Sequence, residues 1–205
     1  MGTGYVGLSV GACFADLGHD VTCLDIDKDK VASLQAGQVP IYEPGLGSLV
    51  ERNVSAGRLT FSTDYAVSVP NRELVFIAVD TPTGTAGEAN LAAIDSAATA
   101  LAPVLTKGSI IITKSTVPIG TGDLISRIVN EHRNDSERFA VVSNPEFQRE
   151  GTAVQDFLHP DRVVVGSADK AAADRHRLHQ IHVGRLDHGV AGLNAANVPL
   201  SLDHS

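Results

Sequence analysis

A hexapeptide at the start of the chain, Gly2-Thr3-Gly4-Tyr5-Val6-Gly7, has the residue types and spacing of a phosphate-binding turn. In such a turn Gly2 makes the tight bend, Gly4 lets the main chain approach a pyrophosphate, and Gly7 allows a helix to pack closely on a strand. The phosphates would lie on free backbone N–H groups at a helix N-terminus. Downstream, Asp25 closes the run Val21-Thr22-Cys23-Leu24. A carboxylate at the end of a second strand can accept both ribose hydroxyl hydrogen bonds of an adenosine and repels a 2′-phosphate, which favours NAD over NADP. Glycines also mark ordinary turns and aspartates also end strands, but here strand, spacing and glycine turn agree on a dinucleotide.

Three polar clusters extend the chemistry: Thr81-Pro82-Thr83, Lys114-Ser115-Thr116-Val117-Pro118, and Asn144-Pro145-Glu146-Phe147-Gln148-Arg149-Glu150. Taken singly they read as turns, since Ser, Thr, Asn and Pro are turn formers. Glu146 and Glu150 facing the Thr116 hydroxyl would suit proton transfer and the positioning of water. The plainer alternative for the glutamates is a solvated face or a cap on a following helix.

The elements that must position these groups alternate in the manner of a parallel α/β sheet. Helices are expected over 8–17, 28–34, 45–54, 91–105 and 121–132, and strands over 21–25, 59–62, 73–79, 109–113 and 139–143, with 162–166 as a last addition. The run Glu73 to Val79 is almost continuously apolar, as in a strand covered on both faces. All three polar clusters fall at carboxyl ends of strands, the edge that also carries the glycine turn and where such sheets bind ligands. Cys13 and Cys23 sit among small apolar residues and read as buried rather than reactive or disulfide-bonded.

The composition of the 205 residues, 43% hydrophobic and 20% charged, is that of a globular chain with enough length for one domain. A formal net charge of -8 leaves no basic stripe for nucleic acid. No apolar run approaches the ~20 residues of a membrane span, and a cytoplasmic location is expected by default. His176, His179 and His182 could line one helical face, but a metal site is not expected there.

The glycine turn, Pro40-Ile41-Tyr42-Glu43-Pro44-Gly45-Leu46, Lys114 to Thr121, Asn144 to Phe147 and Arg149 to Ala153 together resemble the UDP-glucose/GDP-mannose dehydrogenase family over about residues 2–175. The resemblance implies a doubly wound, Rossmann-like NAD-binding domain. It implies oxidation of the C6 alcohol of a nucleotide sugar to the carboxylate, with two NAD used in succession. The Lys114 to Thr121 stretch most resembles the UDP-glucose branch, so UDP-glucuronate is the expected product; GDP-mannose and an N-acetylmannosamine nucleotide are the competing substrates. A hydroxyacid dehydrogenase shares only the glycine turn. As an alternative function, the chain is an inactive stand-alone NAD-binding module.

Carried over by position, the resemblance assigns NAD to Gly2, Thr3, Gly4, Tyr5, Val6, Gly7, Asp25, Lys30, Val79, Asp80, Thr81, Pro82, Thr83, Ser115, Thr116, Val117 and Glu150. It assigns the sugar nucleotide to Glu146, Phe147, Gln148, Arg149 and Glu150. Glu146 would be the acid/base, with Thr116 holding a catalytic water and Glu150 beside it. Two positions depart from the pattern: Gln148 stands where Leu is usual, and Asp80 where Gly or Asn is commoner.

The ends depart further. The family's sheet has a central strand just before the glycine turn, and only Met1 remains of it here. Losing about five buried apolar side chains at roughly 1.5–3 kcal/mol each matches the ~5–15 kcal/mol stability of a whole domain. Either the recorded start is late or the sheet closes around a gap. The family's second domain, with its nucleophilic Cys, Lys and Asn, and the connecting helix on which its homodimer rests, have no counterpart here. That Cys is expected to hold the aldehyde as a thiohemiacetal before the second oxidation. From Arg175 the composition becomes His-rich, and residues 176–205 are expected to form a solvated, poorly ordered tail, read in a shifted frame.

Overall fold

A computed structural model describes residues 1–84, 87–133, 135–181 and 192–193. The first helix, α1 (Tyr5–Asp16), is buried from Leu8 through Ala15 and lies against β1 (Val21–Leu24). Asp27 then caps α2 (Lys28–Gln35), its Oδ1 accepting from the N–H groups of Asp29 and Lys30 at 3.0 Å each. Leu46, Leu49, Val50 and Asn53 recur at helical spacing and form the buried stripe of α3 (Leu46–Ser55), which leads into β2 (Leu59–Ser62). The short α4 (Tyr65–Ser68) precedes β3 (Leu74–Ile77). There follow α5 (Ala92–Leu101), β4 (Ile110–Thr113), α6 (Thr121–Glu131) and β5 (Ala140–Ser143). The last elements are α7 (Ala153–Leu158), β6 (Val165–Gly166), α8 (Lys170–Ile181) and the two-residue β7 (Gly192–Leu193).

Strands β1 and β2 pair in parallel, as do β3, β4 and β5, while β6 joins β5 antiparallel at Ser143 and Gly166. One apolar cluster joins α1, α2, α3 and α7 and includes Phe14, which packs on Phe76 and Phe157 with centroids 5.1 Å from each. A second joins α5 and α6 around Ile77, Ile94, Leu101 and Ile125. Helices thus cover both faces of a mainly parallel sheet, the doubly wound, Rossmann-like arrangement expected.

Among the described residues the sheet is interrupted between β1 and β3. β1 and β3 do not pair with each other; Met1 and Gly2 alone lie between them, Gly2 N donating to Leu24 O at 2.8 Å and Ala78 N to Met1 O at 2.8 Å. Below them is a cavity of about 290 Å³ walled by both strands and by α1. β3 is less uniformly covered than its composition suggests: Val75 and Ile77 are buried, but Leu74 and Phe76 are only partly so.

Helix α8 runs through the change of composition at Arg175, which corrects the expected start of a solvated tail at residue 176. Ala172 and Ala173 pack against β4, β5 and β6, and His176 on the same face is fully buried. His179 faces Glu73, Nε2 to Oε1 3.4 Å. His182 and the remaining tail, apart from Gly192 and Leu193, lie outside the described residues. Both cysteines are buried, and burial raises Cys13 to about 12 and Cys23 to about 11. No described helix is long and apolar enough to cross a membrane.

Candidate functional site

The glycine turn shows three different reasons for its glycines. Gly2 has φ +85° and a Cβ there would lie 2.5 Å from Ala78 O, while a Cβ on Gly7 would lie 1.9 Å from Gly2 O. Both are required by the fold. Gly4 is not: its φ of -70° suits any residue, and a Cβ would meet nothing within 4 Å. Gly4 is the N-cap of α1 with no side-chain cap and no acidic residue in the first turn, so the first N–H groups of a 12-residue helix face open space. That is a cradle for an anion which a side chain at position 4 would fill, and the residues present fit a dinucleotide diphosphate.

Asp25, 7% exposed, sits beside this turn. Its Oδ2 accepts from Thr3 N (2.8 Å), Thr3 Oγ1 (2.6 Å) and Lys30 Nζ (3.1 Å), and its Oδ1 accepts from Asp27 N (3.1 Å). Burial works against the charged form, but the hydrogen bonds from Thr3, Asp27 and Lys30 outweigh it and hold the carboxyl at about 2. Asp25 is therefore an anion with acceptor capacity left on Oδ1. The loops after β3 and β4 are stitched together, Ser115 Oγ donating to Val79 O at 2.6 Å and Thr81 Oγ1 to Thr116 O at 3.0 Å, and Ala78 and Val79 lie against Gly2 of the turn. Asp80, Pro82, Thr83 and Thr116 are exposed, whereas Val79 and Val117 are partly buried.

The loop after β5 reaches the glycine turn. Tyr5 lies at the start of α1, and its hydroxyl donates to Glu43 Oε2, accepts from Gly151 N at 3.1 Å and stands 3.3 Å from Arg149 O. Glu43 is buried and also accepts from Gly151 N at 2.8 Å. Burial opposes its charge, but Tyr5 and the N–H groups at the start of α7 keep the carboxyl below its ordinary value. One buried carboxylate thus ties the turn at residues 2–7 to the loop at 146–151. Nothing local in the sequence announces it; the only signal was its place in the Tyr42-Glu43-Pro44-Gly45 motif.

Glu146 is half-buried with Oε2 enclosed and without a hydrogen-bond partner. Burial raises its pKa, opposed by the charge of Lys114. Lys114 is itself buried, lowered to about 8 by burial against the attraction of Glu146, and donates to Asn144 Oδ1 at 3.2 Å. His176 Nε2 meets the same Asn144 oxygen at 3.0 Å, and burial, then the charge of Lys114, lowers it to about 3. Neither Glu146 nor Glu150 hydrogen-bonds to the Thr116 hydroxyl; Glu150 is exposed, and the group facing Glu146 is Lys114.

Lys114, Asn144 and Glu146 border a second cavity, of about 580 Å³, which also has Phe147, Arg149, His159 and Arg162 in its wall. Phe147 is 50% exposed with the Arg162 guanidinium 5.1 Å from its ring centre. Arg149 forks onto Asp156, Nε to Oδ2 3.2 Å and Nη2 to Oδ1 2.7 Å, which holds the Asp156 carboxyl well below the usual range. Gln148 Nε2 donates to Ala153 O at 3.2 Å, while its Oε1 is buried without a partner. Lys114 and Asn144 stood in the polar clusters at the strand ends without an assigned role, and His159 and Arg162 were not singled out in the sequence.

An uncapped glycine turn entering a doubly wound sheet, with an acid at the end of the next strand, defines a dinucleotide-binding domain of dehydrogenase type. The chain matches the UDP-glucose/GDP-mannose dehydrogenase family, NAD binding domain, over residues 1–183, and belongs to that family. It is 50% identical over 167 residues to the UDP-glucose 6-dehydrogenase of Rhizobium meliloti, covering 81% of this chain and 38% of that protein. It is 48% identical over 181 residues to the UDP-glucose 6-dehydrogenase TuaD of Bacillus subtilis, covering 88% and 39%. Among solved structures, a UDP-glucose dehydrogenase of Pyrobaculum islandicum superposes with a TM-score of 0.81 at 38% identity, over 94% of this chain and 44% of that one. The chain therefore spans about two fifths of the length of the curated relatives it matches. Its cofactor is NAD.

Proposed function

We propose that this chain is the cofactor-binding part of an enzyme that oxidises the C6 alcohol of UDP-glucose to the carboxylate. The observation that carries the reading is the junction of the glycine turn and the 146–151 loop through Tyr5 and Glu43, which puts a diphosphate cradle and a carboxylate of raised pKa in one neighbourhood. Its support for UDP-glucose in particular is the likeness to relatives of that name.

When bound, NAD would supply the hydride acceptor for the alcohol carbon. The N–H groups of Tyr5 and Val6 would hold its diphosphate, and Asp25, with Lys30 beside it, would hold the adenosine ribose. Residues Val79 to Thr83 and Ser115 to Val117 line the nicotinamide side, with Glu150 at its edge. Glu146, which burial keeps readier to hold a proton than an ordinary glutamate, exchanges the alcohol proton, and Thr116 orients water. The second cavity takes the sugar nucleotide, with Lys114, Arg149 and Arg162 as its cations. Gln148 offers an unpaired carbonyl oxygen where an apolar side chain would offer none.

A second reading, a NAD-binding module with no turnover of its own, is favoured by one observation: both thiols are buried with strongly raised pKa, so neither can serve as a sulfur nucleophile. Thermal melting of the purified chain in saturating NAD, NADP and UDP-glucose tests the cofactor assignment. NAD is expected to raise the midpoint by several degrees, as ligands selective for the folded state do, and NADP to raise it far less. An equal rise with NADP would refute the role given to Asp25. Steady NADH formation from UDP-glucose and NAD would refute the second reading.

A further inference from the structure

We propose that the Lys114 ammonium and the Glu146 carboxylate form a two-point receptor for one alcohol oxygen, Lys114 donating to it while Glu146 takes its proton. The inference rests on the reading of the second cavity as the sugar-nucleotide site and adds to it a residue that touches the reacting oxygen. The strand register supplies the first argument. β4 and β5 pair with Ile110 opposite Ala140 and Ile112 opposite Val142. The pairing continues past the strand ends, where Asn144 N donates to Thr113 O at 2.9 Å and Glu146 N to Lys114 O at 3.4 Å. Side chains alternate between the faces of a sheet, so every second residue shares a face. Ile110, Ile112 and Val142 form an apolar stripe under Ala172 and Ala173 of α8. Lys114 and Asn144 are the next pair along that stripe, so the register carries a cation and an amide to its end.

The hydrogen bonds supply the second argument. Asn144 Oδ1 accepts from Lys114 Nζ at 3.2 Å and from His176 Nε2 at 3.0 Å, while Asn144 Nδ2 donates to Val164 O at 2.8 Å. The amide is thereby oriented, and the ammonium is held by an acceptor that α8 fixes in turn. Among the described residues Asn144 Oδ1 is the only hydrogen-bond acceptor of Lys114, a residue 5% exposed, so two of its three N–H groups are left for a guest. Glu146, in the wall of the same cavity, has its Oε2 enclosed with no donor.

A donor and an acceptor left unsatisfied beside one cavity are both met by a hydroxyl, which accepts through its lone pairs and donates through its proton. A cationic guest would be repelled by Lys114 and an anionic one by Glu146. Of the surrounding charges, that of Lys114 acts on Glu146 and that of Glu146 on Lys114. His176 is kept neutral by burial and by Lys114, and Arg149 is committed to Asp156; His159, Asp161 and Arg162 complete the titratable groups of the wall. In the step itself the alcohol O–H bond breaks, the proton passes to Glu146, and the negative charge left on the oxygen lies against the ammonium.

The test is nuclear magnetic resonance of the 205-residue chain, with the Lys114 side-chain nitrogen and the Glu146 carboxyl carbon assigned by comparison with Lys114→Met and Glu146→Gln. Millimolar UDP-glucose is expected to move both signals together and saturably. UDP-6-deoxyglucose, which lacks that one oxygen, is expected to move the amides of residues 146–151 but neither side chain, and to bind at least about tenfold more weakly. Lys114→Met keeps the stem and removes the charge, and should bring the two affinities within about twofold and raise the Glu146 pKa by about one unit or more. The comparison of the two sugars in the parent chain decides the matter even if that variant does not fold. Equal affinities in the parent, or a Lys114 signal that UDP-glucose leaves unmoved while the loop amides shift, would overturn the proposal and leave the cavity as the sugar-nucleotide site. No shift at residues 146–151 with UDP-glucose would overturn that reading and the proposal with it.

Discussion

Gly4→Val leaves the melting midpoint of the chain within a degree or two and weakens NAD binding at least about a hundredfold, a loss of about 2.7 kcal/mol. The asymmetry between the glycines gives this result. At Gly7 any Cβ would collide with the Gly2 carbonyl oxygen, so substitution there breaks the fold and binding together. At Gly4 the backbone is extended and the Cβ direction is empty, so the folded chain tolerates a side chain. A valine there would stand over the free N–H groups at the start of α1, the ones assigned to the diphosphate. Calorimetric titration with NAD, run beside a melt of the same sample, checks both halves. Unchanged affinity in a folded variant would remove the glycine turn from the cofactor site.

Asp25→Asn is the second large effect, and it acts on the fold itself. The carboxylate at Oδ2 gathers the Thr3 N–H, the Thr3 hydroxyl and the Lys30 ammonium. Asparagine keeps the shape, but it removes the charge and an amide nitrogen in that place would face donors. With a folded pKa of about 2 against an ordinary 3.8, the charged form contributes about 2 kcal/mol at neutral pH. Because the folded value is depressed, this contribution is fully present above pH 3.8 and is lost as pH falls through 2. Denaturant unfolding at pH 7 should therefore show Asp25→Asn less stable by about 2–3 kcal/mol. Between pH 4 and 2 the difference should narrow, as the parent loses what the variant already lacks. A constant difference down to pH 2 would mean that Asp25 stabilises the turn by packing rather than charge.

Much of this fold could be read along the chain because the signals are local. Asp27 caps α2 from the position just before the helix expected over 28–34, and the buried stripe at Ile125, Ile128 and Val129 in α6 follows from spacing alone. β1 to β5 were placed to within a residue or two because β-branched runs such as Ile110-Ile111-Ile112 admit little else, whereas the strand expected over 162–166 is only Val165–Gly166. Four short or polar elements, α4, α7, α8 and the two-residue β7, were not foreseen. α7 starts at a residue without a side-chain cap, its first N–H groups being met instead by Glu43 from far upstream. α8 has a polar composition overall, and its burial depends on Ala172, Ala173 and His176 meeting β4, β5 and β6.

The candidate site divides in the same way. Gly2 to Gly7 and Asp25 are legible because a turn followed by a strand is a local pattern. Glu43, Lys114 and His176 are not, because what gives them meaning is a contact across a hundred residues or a loss of solvent that only the folded chain imposes. Glu146 was foreseen as an acid/base from its loop, but the group facing it, Lys114 rather than Thr116, emerges only from the way β4 and β5 lie side by side.

The account rests on the diphosphate of NAD lying on the first turn of α1, next to a loop that Tyr5 and Glu43 fasten to it. Amide hydrogen exchange on the chain with and without saturating NAD measures this directly. The expected result is slowed exchange at Tyr5, Val6 and Gly7 and, in the same titration, at Gly151 and Ala153, with Glu43→Gln abolishing the second effect while sparing the first. Saturating NAD that leaves residues 5–7 exchanging at their free rate, or protects only a distant segment, would contradict it.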